Sequence, residues 1–447
     1  MNLFNVFTLK KFDKGVYILT TFKTLSSWQK NVGAFLLSQF LTGITSMTVQ
    51  YSIIWYLTEQ THSAKVLSYA TLIGMLPMIL LSPFAGTYVD RWNKKLLLIV
   101  PDVVAAVVAA GLSIVILMTG HVSIWVVYLA LFIRAVAQTF QMPTIQSIIP
   151  TITPEAHLTK VNGQFGMIQS ANMIVAPALG AFLFTIVSVQ YLLLLDVLGA
   201  VLGICMLQFV KIPKVDAAAK NEVAKAHPVK TVVSDMLTGV QLLTKNKGLW
   251  ISLVIGSIST LFIMPIASLY PLMTLDYFKA SIGQVGLVEV CYSVGMLTGG
   301  LIISVFGNWK NRMIPFMLSY ISLGIVMILS GLLQPSKFGF MLFVGLTFIT
   351  GVGVPFFDTL LMAMIQQSYE NENLGKVMGV TMSILSLPGP IGLIVFGPLA
   401  DTVGVNRVFL ICGVAVFLCA PVNWAFKSAR EYDVNLQSNK KTSNTKT

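Results

Sequence analysis

Two carboxylates, Asp196 in LLLLDVLGAVLG and Glu289 in VGLVEVCYSVG, stand inside long apolar runs, as does one arginine, Arg134 in FIRAVAQTFQMP. In a hydrocarbon core an ionised side chain costs roughly 2.5–3.5 kcal/mol on insertion scales, so each of the three needs a partner or a purpose. A carboxyl group kept from water holds its proton more tightly, and a neighbouring cation loosens it. A site that alternates between those surroundings takes up and releases protons. The plainer alternative makes each acid a headgroup-level residue that satisfies a neighbouring donor, and makes Arg134 a tie to polar groups on the first span such as Gln39. Asp102 and Asp358 lie nearer the ends of their spans and stand behind these three.

Positioning such groups takes elements that can live in lipid. The chain has 447 residues, 55% hydrophobic and 10% charged, with a mean hydropathy of +0.81. An ordinary soluble domain has about a quarter of its residues charged. The apolar residues come in blocks of about twenty or more, enough to cross about 30 Å of hydrocarbon at 1.5 Å per residue. Within lipid the backbone must satisfy its own hydrogen bonds, so the blocks read as helices. Spans are expected at 32–57, 64–88, 97–118, 122–147, 164–187 and 189–210, then at 249–275, 283–306, 313–334, 338–364, 379–401 and 406–427. The reading is an all-α membrane protein with a first half over 32–210, a linker over 211–248 and a second half over 249–427. Residues 1–31 and 428–447 flank the bundle, and within the linker Val229 to Leu243 has the apolar spacing of a surface or packed helix.

Charge orients the bundle. Of the 29 lysines and arginines, Lys65, Lys279, Lys337 and Arg407 fall on one side, Arg134 lies within a span, and the rest crowd the other side with both termini. Positive loops stay in the cytoplasm, so both termini are expected inside a bacterial cytoplasmic membrane. The net charge of +12 then reads as topology and attraction to anionic lipid, rather than as a nucleic-acid footprint. The first apolar run is too long for a cleavable signal peptide. Cys205, Cys291, Cys412 and Cys419 all fall in spans and read as packing residues, and no metal or cofactor is expected.

The halves repeat one another. LTKVNG at 158–163 matches LGKVMG at 374–379, DRWNKK at 90–95 falls opposite GNWKNR at 307–312, and Met142-Pro143 pairs with Val354-Pro355. Duplicated six-helix halves are a recurrent transporter design. GTYVDRWNKKLLL resembles the loop between helices 2 and 3 of the major facilitator superfamily, through Gly86, Asp90, Arg91, Lys94, Lys95 and Leu98, with Tyr88 and Asn93 departing from its pattern. Together with FIRAVAQTFQMP, LLDVLGAV, KNKGL and SLYPLMTLDYF, the chain from about 28 to 427 is similar to the drug-efflux branch that includes the macrolide-efflux proteins. GNWKNR has lost the acid of the second copy of the loop, so a latch there must be made by other groups.

The resemblance implies a twelve-helix fold of two pseudo-symmetric halves that works by alternating access. It makes Gly86, Asp90, Arg91, Lys94 and Lys95 a conformational latch. Arg134 matches an arginine implicated in proton transfer, although Gln138 stands where the motif has glycine. Spans 1, 4, 7 and 10 would line the central cavity, placing there Gln39, Thr42, Gln50, Gln138, Gln141, Phe262, Met264 and Phe356. Methionine, aromatic and amide groups suit bulky amphiphilic cargo. IVAPALGA resembles in part an antiporter motif at Pro177, and Gly351, Gly353 and Pro355 are positions where span 10 is expected to bend.

No G-x-x-x-x-G-K-[ST] motif occurs, which leaves ion gradients as the driver. One proton moving inward supplies about 2.3 kcal/mol per 100 mV, and with about 1.4 kcal/mol per tenfold gradient that sustains roughly fifty-fold export of a neutral drug. The expected activity is proton-coupled export of lipophilic drugs, macrolides first, by a monomer with Glu289, Asp196 and Arg134 as coupling candidates. A facilitator or flippase for an endogenous metabolite or lipid is the alternative, and a strongly charged cavity would mark a charged solute. An intramembrane enzyme would need paired motifs such as HExxH or GxSxG, which the chain lacks.

Overall fold

The computed structural model describes Lys10–Lys11, Tyr17–Ile18 and residues 26–212, 228–306, 309–369 and 371–444, with side chains before 26 and at 82–88, 90, 91, 156, 159, 228–235, 371, 372, 375 and 439–444 left out of the description. Among the described residues, twelve helices are long and apolar enough to cross a membrane: Ser27–Thr61, Ala64–Leu81 within the longer helix Ala64–Arg91, Lys94–Thr119, Ile124–Ile152, Lys160–Ile186, Val189–Gln208, Lys247–Tyr277, Ile282–Phe306, Met313–Leu332, Lys337–Ser368, Lys376–Val403 and Val405–Ala425. They are called spans 1 to 12. With an even number of crossings, Ser27 and Ala425 share one end of the bundle. A two-residue antiparallel pair, Lys10–Lys11 with Tyr17–Ile18, precedes them.

Close helix contacts are made where side chains are small. A Cβ on Gly351 of span 10 would lie 2.1 Å from the carbonyl of Tyr292 in span 8, and one on Gly295 would lie 2.2 Å from that of Phe348. These glycines let two backbones touch. Span 10 runs unbroken from Lys337 to Ser368 through Gly351, Gly353 and Pro355. Gly351 is taken up by contact with span 8, and Gly353 lies against Leu323 of span 9. Pro177 also sits inside an unbroken helix, Leu158–Ile186.

Interruptions fall elsewhere. Span 4 breaks at Thr139–Phe140, between Ile124–Gln138 and Gln141–Ile152. Pro143 has no N–H for the carbonyl of Thr139 four residues back, and its ring crowds that carbonyl. Span 11 divides at Leu387, next to Pro388. There Ser257 and Thr260 of span 7 donate to the carbonyls of Ile384 and Leu385 at 2.6 and 2.9 Å, so acceptors at the break are satisfied without water.

At the end bearing Ser27 and Ala425, polar segments pack onto the bundle. Helix Pro228–Lys245 of the linker buries Leu243, and the carbonyl of Leu242 accepts from the Tyr369 hydroxyl at 3.0 Å. Two short helices of the tail, Lys427–Arg430 and Tyr432–Asn444, follow span 12. Asp433 is fully buried and accepts from the backbone N–H of Arg312 at 2.7 Å and its Nε at 2.9 Å. The acid missing from GNWKNR is thus supplied by the tail. In the first loop Asn93, at the glycine position, caps span 3 by accepting from the Lys95 and Leu96 N–H groups.

The opposite end is closed across the two halves. Trp55, Ala181, Ile282 and Val285 form one buried cluster drawn from spans 1, 5 and 8. Asp401, at the end of span 11, caps the start of span 2: its carboxylate accepts from Ala64 N–H at 2.6 Å, Lys65 N–H at 3.1 Å and Ser63 Oγ at 2.7 Å. His62 and Asp276 pair beside it at 2.5 Å. An exposed pair adds little, whereas losing a helix cap costs roughly 0.5–2 kcal/mol. Asp401→Ala should therefore shift the equilibrium away from the closed form by about two- to thirtyfold. A cysteine replacing Ile282, with native cysteines exchanged for serine, should label faster with a maleimide by that factor. An unchanged rate would contradict the assignment of Asp401 as a latch.

Candidate functional site

Arg134 is almost wholly enclosed, with 1% of its side chain exposed against 3% for Asp196. The guanidinium Nη1 donates to the Asp196 carboxylate and reaches the Ala105 carbonyl at 3.4 Å. Its Nη2 reaches the Ser46 carbonyl at 3.4 Å and Ser46 Oγ at 3.2 Å. Spans 1, 3, 4 and 6 therefore meet at one cation. The tie to span 1 is made by Ser46 and not by Gln39, whose amide donates to Ser38 Oγ.

Local structure sets the carboxylate. Span 6 is interrupted at Leu193–Leu194, between Val189–Leu192 and Leu195–Gln208. Asp196 thus falls in the first turn of a new helix, where the helix dipole favours negative charge. Two coupling candidates that lie far apart in sequence become one ion pair. Arg134 Nε has no partner among the described residues, so the guanidinium keeps a spare donor.

A second carboxylate lies close by along span 3. Asp102 accepts from Gln141 at 2.7 Å through one oxygen, while its other oxygen is buried without a partner. Gln141 comes directly after the break in span 4, and Gln138 directly before it reaches Ser46 Oγ at 3.3 Å. The break presents both amides to neighbouring spans.

Glu289 is separate from this cluster. It lines a cavity of about 220 Å³ with Tyr51 of span 1, Tyr270 of span 7, Tyr292 of span 8 and Thr347 of span 10. The remaining sequence-chosen residues lie elsewhere. Thr42 packs against Gly203 of span 6, and Gln50 is half-buried. Phe262 packs against Phe396 of span 11 with ring centres 5.6 Å apart and tilted, Met264 packs against Gly389, and Phe356 lies against Trp309 at 5.9 Å, also tilted. Asp358 is exposed. Of the latch residues, Lys94 donates to the Ser147 carbonyl at 3.1 Å and Lys95 reaches the carbonyls of Gln208 and Val210 at 3.5 and 3.4 Å, all within the first half. Gly86, Asp90 and Arg91 end the helix Ala64–Arg91, and their side chains lie outside the described residues.

The description Major Facilitator Superfamily belongs to the family model that matches residues 35–274 and again 253–446. The chain belongs to the major facilitator superfamily. Macrolide efflux protein A of Streptococcus pyogenes is 35% identical over 409 residues, covering 92% of this chain and 99% of that protein. The multidrug efflux pump Tap of Mycolicibacterium fortuitum is 23% identical over 85% of this chain and 91% of its own length. Among solved structures, a bacterial homologue of the human lysosomal transporter Spinster, inward-facing and unoccupied, superposes with a TM-score of 0.69 at 12% identity, over 92% of this chain and 99% of that one. The superfamily fold of two six-helix halves is therefore present here.

Within that fold, sequence reasoning found Arg134, Asp196 and Glu289 but missed Tyr51, Tyr270 and Tyr292. One signal was available: Tyr292 follows Glu289 by three residues, which puts both on one helix face. The buried pair gives a direct test. Removing one member strands the other charge, at a cost of roughly 3–5 kcal/mol, whereas replacing both with apolar groups is often neutral. Asp196→Leu and Arg134→Met should each lower the unfolding temperature in detergent by several degrees. The double variant should recover most of the loss. Additive losses in the double variant would mean that the two side chains do not act as a pair.

Proposed function

We propose that this chain is a secondary active transporter of the bacterial cytoplasmic membrane, with both termini in the cytoplasm, which exports lipophilic drugs, macrolides among them, in exchange for protons. The observation that carries the cargo class is the near full-length kinship with Macrolide efflux protein A, which spans both halves. The geometry of Arg134 and Asp196 supports the coupling. The pair is neutral as a whole and so tolerates a dry environment. A proton reaching Asp196 would leave a lone guanidinium held by Ser46 and the Ala105 carbonyl. That charge is costly while the site stays dry, so protonation favours a conformer that lets water reach it. Release of the proton restores the pair. Proton movement and conformational change are linked through one ion pair.

With the Asp401 end taken as the outer face, the closed form described above has its outer end sealed. Cargo then enters from the cytoplasmic side, and opening the Asp401 cap lets it leave.

Expression in a drug-sensitive bacterial host tests the reading. Cells making the protein should accumulate several-fold less labelled erythromycin than control cells. A protonophore should abolish the difference, and Asp196→Asn should raise accumulation to the control level. Unchanged accumulation of erythromycin and of several other lipophilic drugs, with the protein present in the membrane, would replace export by transport of an endogenous metabolite or lipid.

A further inference from the structure

Glu289 has no counter-charge among the described residues. Its carboxylate makes no hydrogen bond or ion pair among the described residues, although it lines the cavity between spans 1, 7, 8 and 10. Arg134 is committed to Asp196 and Arg312 to Asp433. A carboxylate walled largely by apolar and aromatic groups gains from a positive charge or a proton, and no described residue supplies the charge.

The walls narrow the choice. Tyr51, Tyr270 and Tyr292 surround the acid, and the rings of Tyr270 and Tyr292 lie 6.4 Å apart, tilted by 45°. Aromatic faces attract a cation without requiring it to donate hydrogen bonds, and alkylated ammonium groups are the ligands such cages hold best. Thr347 already gives its hydroxyl proton to the Phe343 carbonyl at 2.8 Å, so it offers little to a neutral polyol. Size matters as well. A cavity of about 220 Å³ is smaller than the roughly 300–1,000 Å³ typical of sites that enclose a whole drug-sized ligand. It suits one charged arm of a larger molecule.

We infer that this cavity binds the alkylated ammonium group of a lipophilic cation, with Glu289 as its counter-ion and the three tyrosine rings as its cage. The inference deepens the export reading, on which the word cargo rests; the binding site itself does not depend on it. Tyr51 comes from the first half, and Glu289, Tyr270 and Tyr292 come from the second. A cation seated here touches both halves.

Equilibrium binding to the purified full-length protein tests the site apart from transport. The probes are labelled erythromycin, which carries a dimethylamino sugar, and the same molecule demethylated and acetylated at that nitrogen, which is neutral. The wild type should bind the amine at least tenfold tighter than the amide. Glu289→Gln should weaken the amine to the level of the amide and leave the amide unchanged. Tyr292→Leu should weaken the amine several-fold, and Tyr292→Phe should not. Equal binding of both probes by the wild type, or equal weakening of both by Glu289→Gln, overturns the inference. If neither macrolide binds, Glu289-dependent binding of ethidium keeps the site and removes macrolides as cargo, whereas no binding of any probe overturns the site. Selective binding of the amine without lowered accumulation in cells removes the export reading and leaves the site standing.

Discussion

A guanidinium and a carboxylate, each enclosed to within a few per cent, have to hold one another in the membrane interior of the first half. Neither could remain charged there alone, and the cost of separating them sets much of what surrounds them. Span 6 is interrupted so that Asp196 falls at a helix start, and span 1 turns Ser46 toward Arg134. Span 3 contributes a backbone carbonyl. Four spans are fixed by one cation, which makes the pair both a structural centre and a place where a proton changes the energy of the whole half.

The same demand for satisfied polar groups organises the rest of the bundle. Where Pro388 divides span 11, span 7 supplies the hydroxyls of Ser257 and Thr260 to the carbonyls of Ile384 and Leu385. At the two ends, acids sit on helix starts. Asp401 caps span 2 across the halves, and Asp433 holds Arg312 at the start of span 9 within the second half. The first of these joins the two halves through bonds that are exposed or part-buried, whereas the bonds of Asp433 to Arg312 are buried. Latch strength follows from where each acid lies.

Much of this was legible in the chain. Long apolar blocks gave twelve spans close to their observed bounds, because hydrocarbon thickness and backbone satisfaction leave few alternatives. Lone charges in those blocks identified Arg134, Asp196 and Glu289, because burial of charge is costly wherever it occurs. The pairing of Arg134 with Asp196 was not legible, since it depends on how spans 4 and 6 face each other. The break in span 4 beside Pro143 was not legible, and Pro355 lies in an unbroken helix. The tail looked like a polar extension, and nothing in its composition announced that Asp433 would be buried against a loop more than a hundred residues earlier. The tyrosine cavity was hidden for the same reason, since its walls come from four spans.

The proposal divides the labour, with coupling at Asp196 in the first half and cargo recognition around Glu289 between the halves. Proteoliposomes separate the two most directly, by comparing exchange of labelled for unlabelled erythromycin in the absence of any gradient with uphill movement driven by a pH gradient. The account predicts that Asp196→Asn retains exchange near the wild-type rate and loses uphill transport, while Glu289→Gln loses both. Uphill transport that survives Asp196→Asn, or exchange that fails together with it, would contradict the claim.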